Sequence, residues 1–204
     1  MTRETPVLIT GNSNKVRAFT TILGCELKNR SINLTEIQST EVLKVVERKL
    51  LDAHEAVGEP VIVEDTGLHI GYINQFPGAL IKDYYKCLKS EGIAMAHGTS
   101  PATAITIIGY HDGSQMHFYE GSVKGKIASI PAGKNGFGWD NIFIPDGHNK
   151  TFAEMTIVEK NKCSMRTIAL IKLMKVLNPA KYKELEVKHF VNTYGVDITS
   201  NSSM

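Results

Sequence analysis

Cysteine is scarce in this chain. Its three residues, Cys25, Cys87 and Cys163, lie far apart and are odd in number. They make no Cys-x-x-Cys pair and no Cys/His spacing suited to zinc, so neither a structural zinc nor a disulfide framework is expected. Such usage fits a reducing compartment, and a cytoplasmic location is expected. An excess of one charge sign is also lacking. The 23 Lys and Arg against 21 Asp and Glu leave a net charge of +2, and no basic block exceeds a short pair such as Arg48-Lys49. A nucleic-acid partner is therefore not expected. No apolar run approaches membrane-spanning length, and a strand begins within six residues of the first Met, so no membrane segment or signal peptide is expected. Internal repeats, low-complexity linkers and a Gly-x-Ser-x-Gly nucleophile elbow are absent too. What remains is an ordinary globular composition, 42% hydrophobic and 22% charged, over 204 residues. That length can bury one sizeable core.

The stretch Val61-Ile62-Val63-Glu64-Asp65-Thr66-Gly67-Leu68 organises the reading. Three β-branched apolar residues predict a buried strand ending at Glu64. Two carboxylates at its end need compensation, and a bound divalent cation such as magnesium, which prefers oxygen ligands, would supply it. A solvated Glu-Asp turn is the plain alternative. Before this strand, Pro6 to Thr10 reads as strand one and Gly11 to Asn14 as a turn. Lys15 opens a helix with Val16, Phe19, Ile22 and Leu23 on one face, closed by Gly24. Ile32 to Ile37 looks extended. Val42, Val45, Val46, Leu50, Ala53 and Val57 recur at helical spacing, and Gly58 and Pro60 stop that helix.

Leu68, Ile70 and Tyr72 alternate as a half-wet strand, and Phe76-Pro77-Gly78 reads as a turn. A helix is predicted from Ile81 to about Gly92, and a strand from Thr103 to Tyr110. Asp112-Gly113 signals a hairpin. Return strands follow at Met116 to Glu120 and Val123 to Ala128, then a glycine-rich loop, then a short strand at Ile142 to Ile144. Ser164 can cap a last core helix with Leu170, Leu173, Met174 and Leu177 as its stripe. A helical pattern from Tyr182 to Phe190 and a disordered Ser-Asn-Ser-Ser-Met tail complete the chain. The fold class is α/β, with a mixed sheet flanked by helices.

Two further stretches carry chemistry. Thr10-Gly11-Asn12-Ser13-Asn14-Lys15 joins a strand to a helix, and free amides plus a lysine there suit a phosphate. It is not a Walker A loop. Phe137-Gly138-Trp139-Asp140 holds the only tryptophan, and Phe137 between Gly136 and Gly138 can project to stack on a base. Trp139 reads equally well as core, and Asp140 as a turn cap, a ribose contact or a holder of metal-bound water. Lys160, Lys162 and Arg166 lie about the start of the last core helix, where cations are disfavoured unless an acceptor faces them.

In order, these stretches resemble the inosine triphosphate pyrophosphatase family. The match continues through Glu36-Ile37-Gln38, Phe76-Pro77-Gly78, Pro145-Asp146-Gly147, Thr151 to Met155, Glu159-Lys160-Asn161 and Ser164-Met165-Arg166. The resemblance implies one domain over 1–204, with a core of about 6–177 and a C-terminal extension at 178–204. It implies an elongated mixed sheet, two lobes with a nucleotide cleft between them, and a homodimer. The implied reaction hydrolyses ITP, dITP or XTP to the monophosphate and pyrophosphate with magnesium.

By the same resemblance Thr10, Asn12 and Lys15 hold phosphates, with Gly11, Ser13 and Asn14 completing the loop. Glu36 and Asp65 bind magnesium with Glu64 beside them, and Asp65 orients the attacking water. Lys49 (or Arg48) and Lys82 neutralise phosphate charge, with Thr66 next to the acids. Phe137, Gly138, Trp139, Asp140, Lys160, Met165 and Arg166 build the base and sugar pocket. One departure stands out: the family commonly has His where this chain has Met165, and Met cannot donate a comparable hydrogen bond. Two alternatives remain open. One is a pyrophosphatase for a different modified nucleotide, and the other is an inactive nucleotide-binding protein.

Overall fold

The computed structural model describes residues 5–184. The chain opens as read. Strand β1 (Val7–Ile9) leads through a polar loop into α1 (Ser13–Leu23). Asn12 caps this helix, its Oδ1 accepting from the Asn14 and Lys15 amides, and Gly24 ends it in the left-handed conformation. A two-residue strand, β2 (Asn29–Arg30), pairs parallel with β1. The expected extended segment at 32–37 forms no ladder. Helix α2 (Val42–Val57) buries Val42, Val45, Val46, Leu50 and Ala53, the i, i+3, i+4 stripe seen in sequence.

Strand β3 (Val61–Ile70) corrects the reading of a strand that stops at Glu64. It runs through both carboxylates as one ten-residue element. A single-turn helix and a short strand, β4 (Pro77–Gly78), follow, with β4 folding back on Leu68 and His69. Helix α3 (Ile81–His97) is longer than expected and kinks at Lys89. Strands β5 (Pro101–His111) and β6 (Met116–Ile127) form the predicted hairpin around Asp112-Gly113. Here the two predicted return strands are one.

The break inferred between Glu120 and Val123 is instead Gly121, inside β6. A Cβ at Gly121 would lie 1.9 Å from the Met165 carbonyl oxygen. Glycine in this strand marks a close backbone approach, not a turn. Strand β7 (Phe143–Pro145), α4 (Ile157–Cys163), α5 (Met165–Leu177) and α6 (Pro179–Glu184) complete the order. Lys160 and Lys162 sit on α4, a separate short helix absent from the sequence reading. Ser164 caps α5, its Oγ accepting from the Thr167 amide. The expected stripe on α5 is broader than read, since Met165 through Ile171 are all buried. The predicted pattern beyond Glu184 and the C-terminal tail lie outside the described residues.

The sheet is open and mixed, with order β2-β1-β3-β5-β6-β7 and β4 added on β3. Its two faces carry separate clusters. Leu8, Ile62, Ile108 and Tyr110 pack with α1 and α5. Val7, Val61, Val63 and Ile107 pack with α2 on the other face. This alternation follows from the two-residue period of a strand. The three cysteines are free thiols. Among the described residues no helix is long and apolar enough to cross a membrane.

Stability should fall in acid for two reasons of the same sign. Burial lowers the pKa of His69, His97 and His111 below the ordinary 6.5. The unfolded chain therefore takes up their protons first, and the native state loses stability as pH falls below 6.5. Glu36 is held at about 2, chiefly by the hydrogen bond from Lys49. Its contribution is present above the unfolded carboxylate value and is lost as pH falls from about 4.5 toward 2. Thermal melts from pH 8 to pH 3 should show Tm falling in two stages; a flat profile between pH 7 and pH 5 would remove the histidines from this account.

Candidate active site

A cavity of about 760 Å³ opens where β3 lacks a partner on one edge. Strand β1 pairs only with Val61 and Ile62, and β4 only with Leu68 and His69. Residues 63–67 between them pair with β5 alone. Exposed backbone groups need other partners there. The Lys15 ammonium donates to the Glu64 carbonyl at 3.0 Å, and the Thr66 amide to Asp65 Oδ1 at 2.9 Å. The open edge is thus closed by side chains, and the gap becomes the cavity.

The two adjacent carboxylates point to opposite faces, as a strand requires. Glu64 faces α1 and α5. Its side chain is 1% exposed and takes a bidentate bond from Arg166, Nε at 2.9 Å and Nη2 at 3.1 Å. Thr66 Oγ1 donates to it at 2.9 Å, and the Lys15 ammonium lies 3.4 Å away. Burial opposes its charge, but Arg166 and Lys15 outweigh that and hold the carboxyl well below the usual range. Asp65 faces α2. Lys49 bridges Asp65 Oδ2 at 3.1 Å and Glu36 Oε1 at 2.8 Å, and Lys82 lies 3.2 Å from Glu36 Oε2.

These placements revise one assignment and add a partner to another. Glu64 was placed beside the metal ligands, but the structure commits it to Arg166 on the opposite face from Asp65. Arg166, which the resemblance places in the base pocket, also holds Glu64 with its edge, and its face lies 5.4 Å from the Phe137 ring centroid. The Lys49-or-Arg48 ambiguity is resolved geometrically: Lys49 enters the cavity, whereas Arg48 pairs with Asp52.

Thr10, Gly11, Asn12, Lys15, Glu36, Thr66, Lys82, Phe137, Gly138, Trp139, Asp140 and Met165 all border the same cavity. Asn14 and Lys160 instead border a second cavity of about 440 Å³, which shares Phe137 and Arg166 with the first. Ser13 borders neither. Asp140 caps its own turn, accepting from the Phe137 amide at 2.7 Å, and pairs with Lys160 at 2.6 Å. Burial pushes the Lys160 ammonium down despite Asp140. Trp139 is partly buried and meets Phe143 edge-on, its centroid at 5.7 Å, so it serves core and wall together. Met165 is 2% exposed and belongs to the core beneath the cavity.

Sequence reasoning missed Tyr85 and Lys86, which line the cavity with Lys82. The i, i+3, i+4 spacing from Lys82 was the available signal. It also missed Thr106, whose hydroxyl meets that of Thr66 at 2.9 Å from the neighbouring strand. Only the β3–β5 register reveals that pairing.

Among the described residues, no group of three or more His, Cys, Asp or Glu is placed to hold a metal alone. The donor chemistry still suits magnesium, which takes one or two carboxylates and completes its shell with water and substrate phosphates. Glu36 and Asp65 already share one positive charge between them, that of Lys49.

A polar strand-to-helix loop facing carboxylates and lysines, with an aromatic wall beside it, defines an α/β protein with a cavity suited to a phosphate-bearing ligand. Comparison narrows this class. Residues 6–176 match the model of the Ham1 family, and the chain belongs to that family. It is 39% identical over 182 residues to an inosine triphosphate pyrophosphatase of Schizosaccharomyces pombe, covering 86% of this chain and 96% of that one. It is 36% identical over 168 residues to a dITP/XTP pyrophosphatase of Methanopyrus kandleri, covering 79% and 89%. A solved Ham1 protein from Coxiella burnetii matches with TM-score 0.69 and 27% identity, over 85% of this chain and 98% of that one.

Proposed function

We propose that this protein hydrolyses non-canonical purine nucleoside triphosphates, ITP, dITP and XTP, to the monophosphate and pyrophosphate. One observation carries the reading. A single cavity brings the Thr10–Asn12 loop with Lys15, the Lys49–Asp65–Glu36 cluster and the Phe137–Trp139 wall together. The relatives named for ITP and for dITP/XTP support the same substrate class.

Asp65 orients and deprotonates a water for in-line attack on the α-phosphorus, with pyrophosphate leaving. Lys15, Lys49 and Lys82 stabilise charge on the phosphates as the bond breaks. Glu36 and Asp65 would hold magnesium, which when bound supplies charge neutralisation at the phosphates. Glu64, fixed by Arg166, positions Lys15 and the strand edge.

The base sits by Phe137, near the cations Lys160 and Arg166. Both cations have only donors, so a 6-carbonyl purine can accept from them and the 6-amino group of adenine cannot. A buried donor left unpaired can discriminate by ~10⁴. The reading also includes a nucleotide seated between two lobes and a homodimer, both supported by the family resemblance, and a cytoplasmic location, supported by the sparse unpaired cysteines.

The test is product analysis with magnesium and ITP, XTP, ATP or GTP in parallel. IMP and pyrophosphate from ITP, with ATP and GTP nearly untouched, is the expected result. IDP and phosphate would overturn the assignment of the cleaved bond. Equal cleavage of all four to monophosphates would keep the chemistry and trace the lost selectivity to Met165.

A further inference from the structure

Lys49 stands where a metal ion's charge would be needed. Its side chain is only 11% exposed, and its ammonium lies between Glu36 and Asp65 at 2.8 and 3.1 Å. Neither carboxylate has an idle oxygen. Lys82 takes the other Glu36 oxygen at 3.2 Å, and the Thr66 amide takes the other Asp65 oxygen at 2.9 Å. Two carboxylates and two ammonium groups therefore cancel without any ligand.

A divalent cation entering this neutral cluster alone would face two ammonium groups stripped of their partners. Such close, partly desolvated like charges are strongly unfavourable. A triphosphate changes the sum. Its negative charge offsets the incoming cation, and its oxygens give both lysines new acceptors.

We propose that Lys49 is a built-in counter-cation that makes divalent-metal binding at Glu36 and Asp65 conditional on the triphosphate. Lys49 thus has two alternating partners, the acids in the empty site and the phosphates in the loaded one. The site stays closed to free metal and accepts metal and nucleotide as a unit. By linkage, the metal must improve phosphate binding by the same factor by which phosphate improves metal binding. The inference rests on the reading of Glu36 and Asp65 as the metal-holding pair.

The test titrates Mn²⁺ into nucleotide-free protein, reading free Mn²⁺ by electron paramagnetic resonance. The wild type should bind weakly. Lys49→Met should bind at least ~10-fold more tightly, since a unit charge a few ångströms from the metal is removed. Lys82→Met should shift the same way but less, because Lys82 is 65% exposed and touches Glu36 alone. A second arm titrates tripolyphosphate into metal-free protein by calorimetry, where Lys49→Met should weaken binding by ~10-fold.

Circular dichroism checks the fold, and if Lys49→Met does not fold, Lys82→Met decides. Mn²⁺ affinity unchanged or reduced in the folded variants overturns the proposal. So does Mn²⁺ binding that survives Glu36→Gln together with Asp65→Asn, since the metal then sits elsewhere. These outcomes are separable from the reaction: IDP in the product analysis would sink the pyrophosphatase assignment without moving the Mn²⁺ titration.

Discussion

Asp65→Asn should lower kcat for ITP by ~10²–10⁴, the range of a lost general base, while the fold and Tm stay close to wild type. The substitution is nearly isosteric. An amide oxygen can still accept from the Thr66 amide, so the backbone at the open strand edge stays satisfied. The negative charge is removed, and with it the ability to take a proton from water; the new amide nitrogen cannot accept from Lys49, whose ammonium keeps Glu36 as its acceptor at 2.8 Å. Asp65 faces the cavity and its side chain is 20% exposed, so little buried polar structure is disturbed. Steady-state pyrophosphate release checks the rate, and thermal melting checks the fold. Activity within tenfold of wild type would take Asp65 out of the mechanism. Activity lost along with the melting transition would show a structural role instead.

Arg166→Met has the opposite profile, with stability as the primary loss. The Arg166 and Glu64 side chains are 9% and 1% exposed, and they join α5 to β3 across 102 positions of chain. Removing the guanidinium leaves a buried carboxylate with Lys15 and Thr66 as its remaining side-chain partners. Breaking one side of a buried pair costs about 3–5 kcal/mol. That is a large fraction of the roughly 5–15 kcal/mol that holds a domain together. Urea denaturation should show the midpoint falling sharply. Arg166→Met combined with Glu64→Leu should recover much of the loss, because an apolar pair carries no uncompensated charge. A single-variant loss under about 1 kcal/mol would mean that the pair does not secure α5 to the sheet.

The contrast between Asp65 and Glu64 shows where sequence reading reaches its limit. Adjacent in the chain, the two look interchangeable, and both were assigned to the metal. The strand period sends one toward α2 and the other toward α5, and the elements packed on each face then decide their roles. Reading the strand as stopping at Glu64 hid this, because the period was not carried through the carboxylates. The same limit explains Gly121. A glycine in an alternating pattern reads as a break, yet here the strand continues and the glycine admits the start of α5. The Arg166–Glu64 bond was hidden for a similar reason. Its identity demands an acceptor, but the sequence does not say which one folding brings within reach.

By itself the sequence determined what depends on near neighbours. The alternation of strands and helices, the Gly24 and Gly58 stops, the Ser164 cap, the Asp112-Gly113 hairpin and the polar loop before α1 all arise within a few residues of chain. Their signals are periodicity and local hydrogen bonding, which need no distant partner. The ordered motifs also pointed to the family, and through it to Glu36, Lys49 and Asp65, which the structure places within one ion-pair cluster. Tertiary structure alone decided that β3 runs unbroken through the acids, that its edge is open at residues 63–67, and that Glu64 belongs to Arg166. A charged residue can continue a buried strand only if a compensating group lies opposite it. Here that group comes from a helix 102 residues away, and only the folded chain brings the two together.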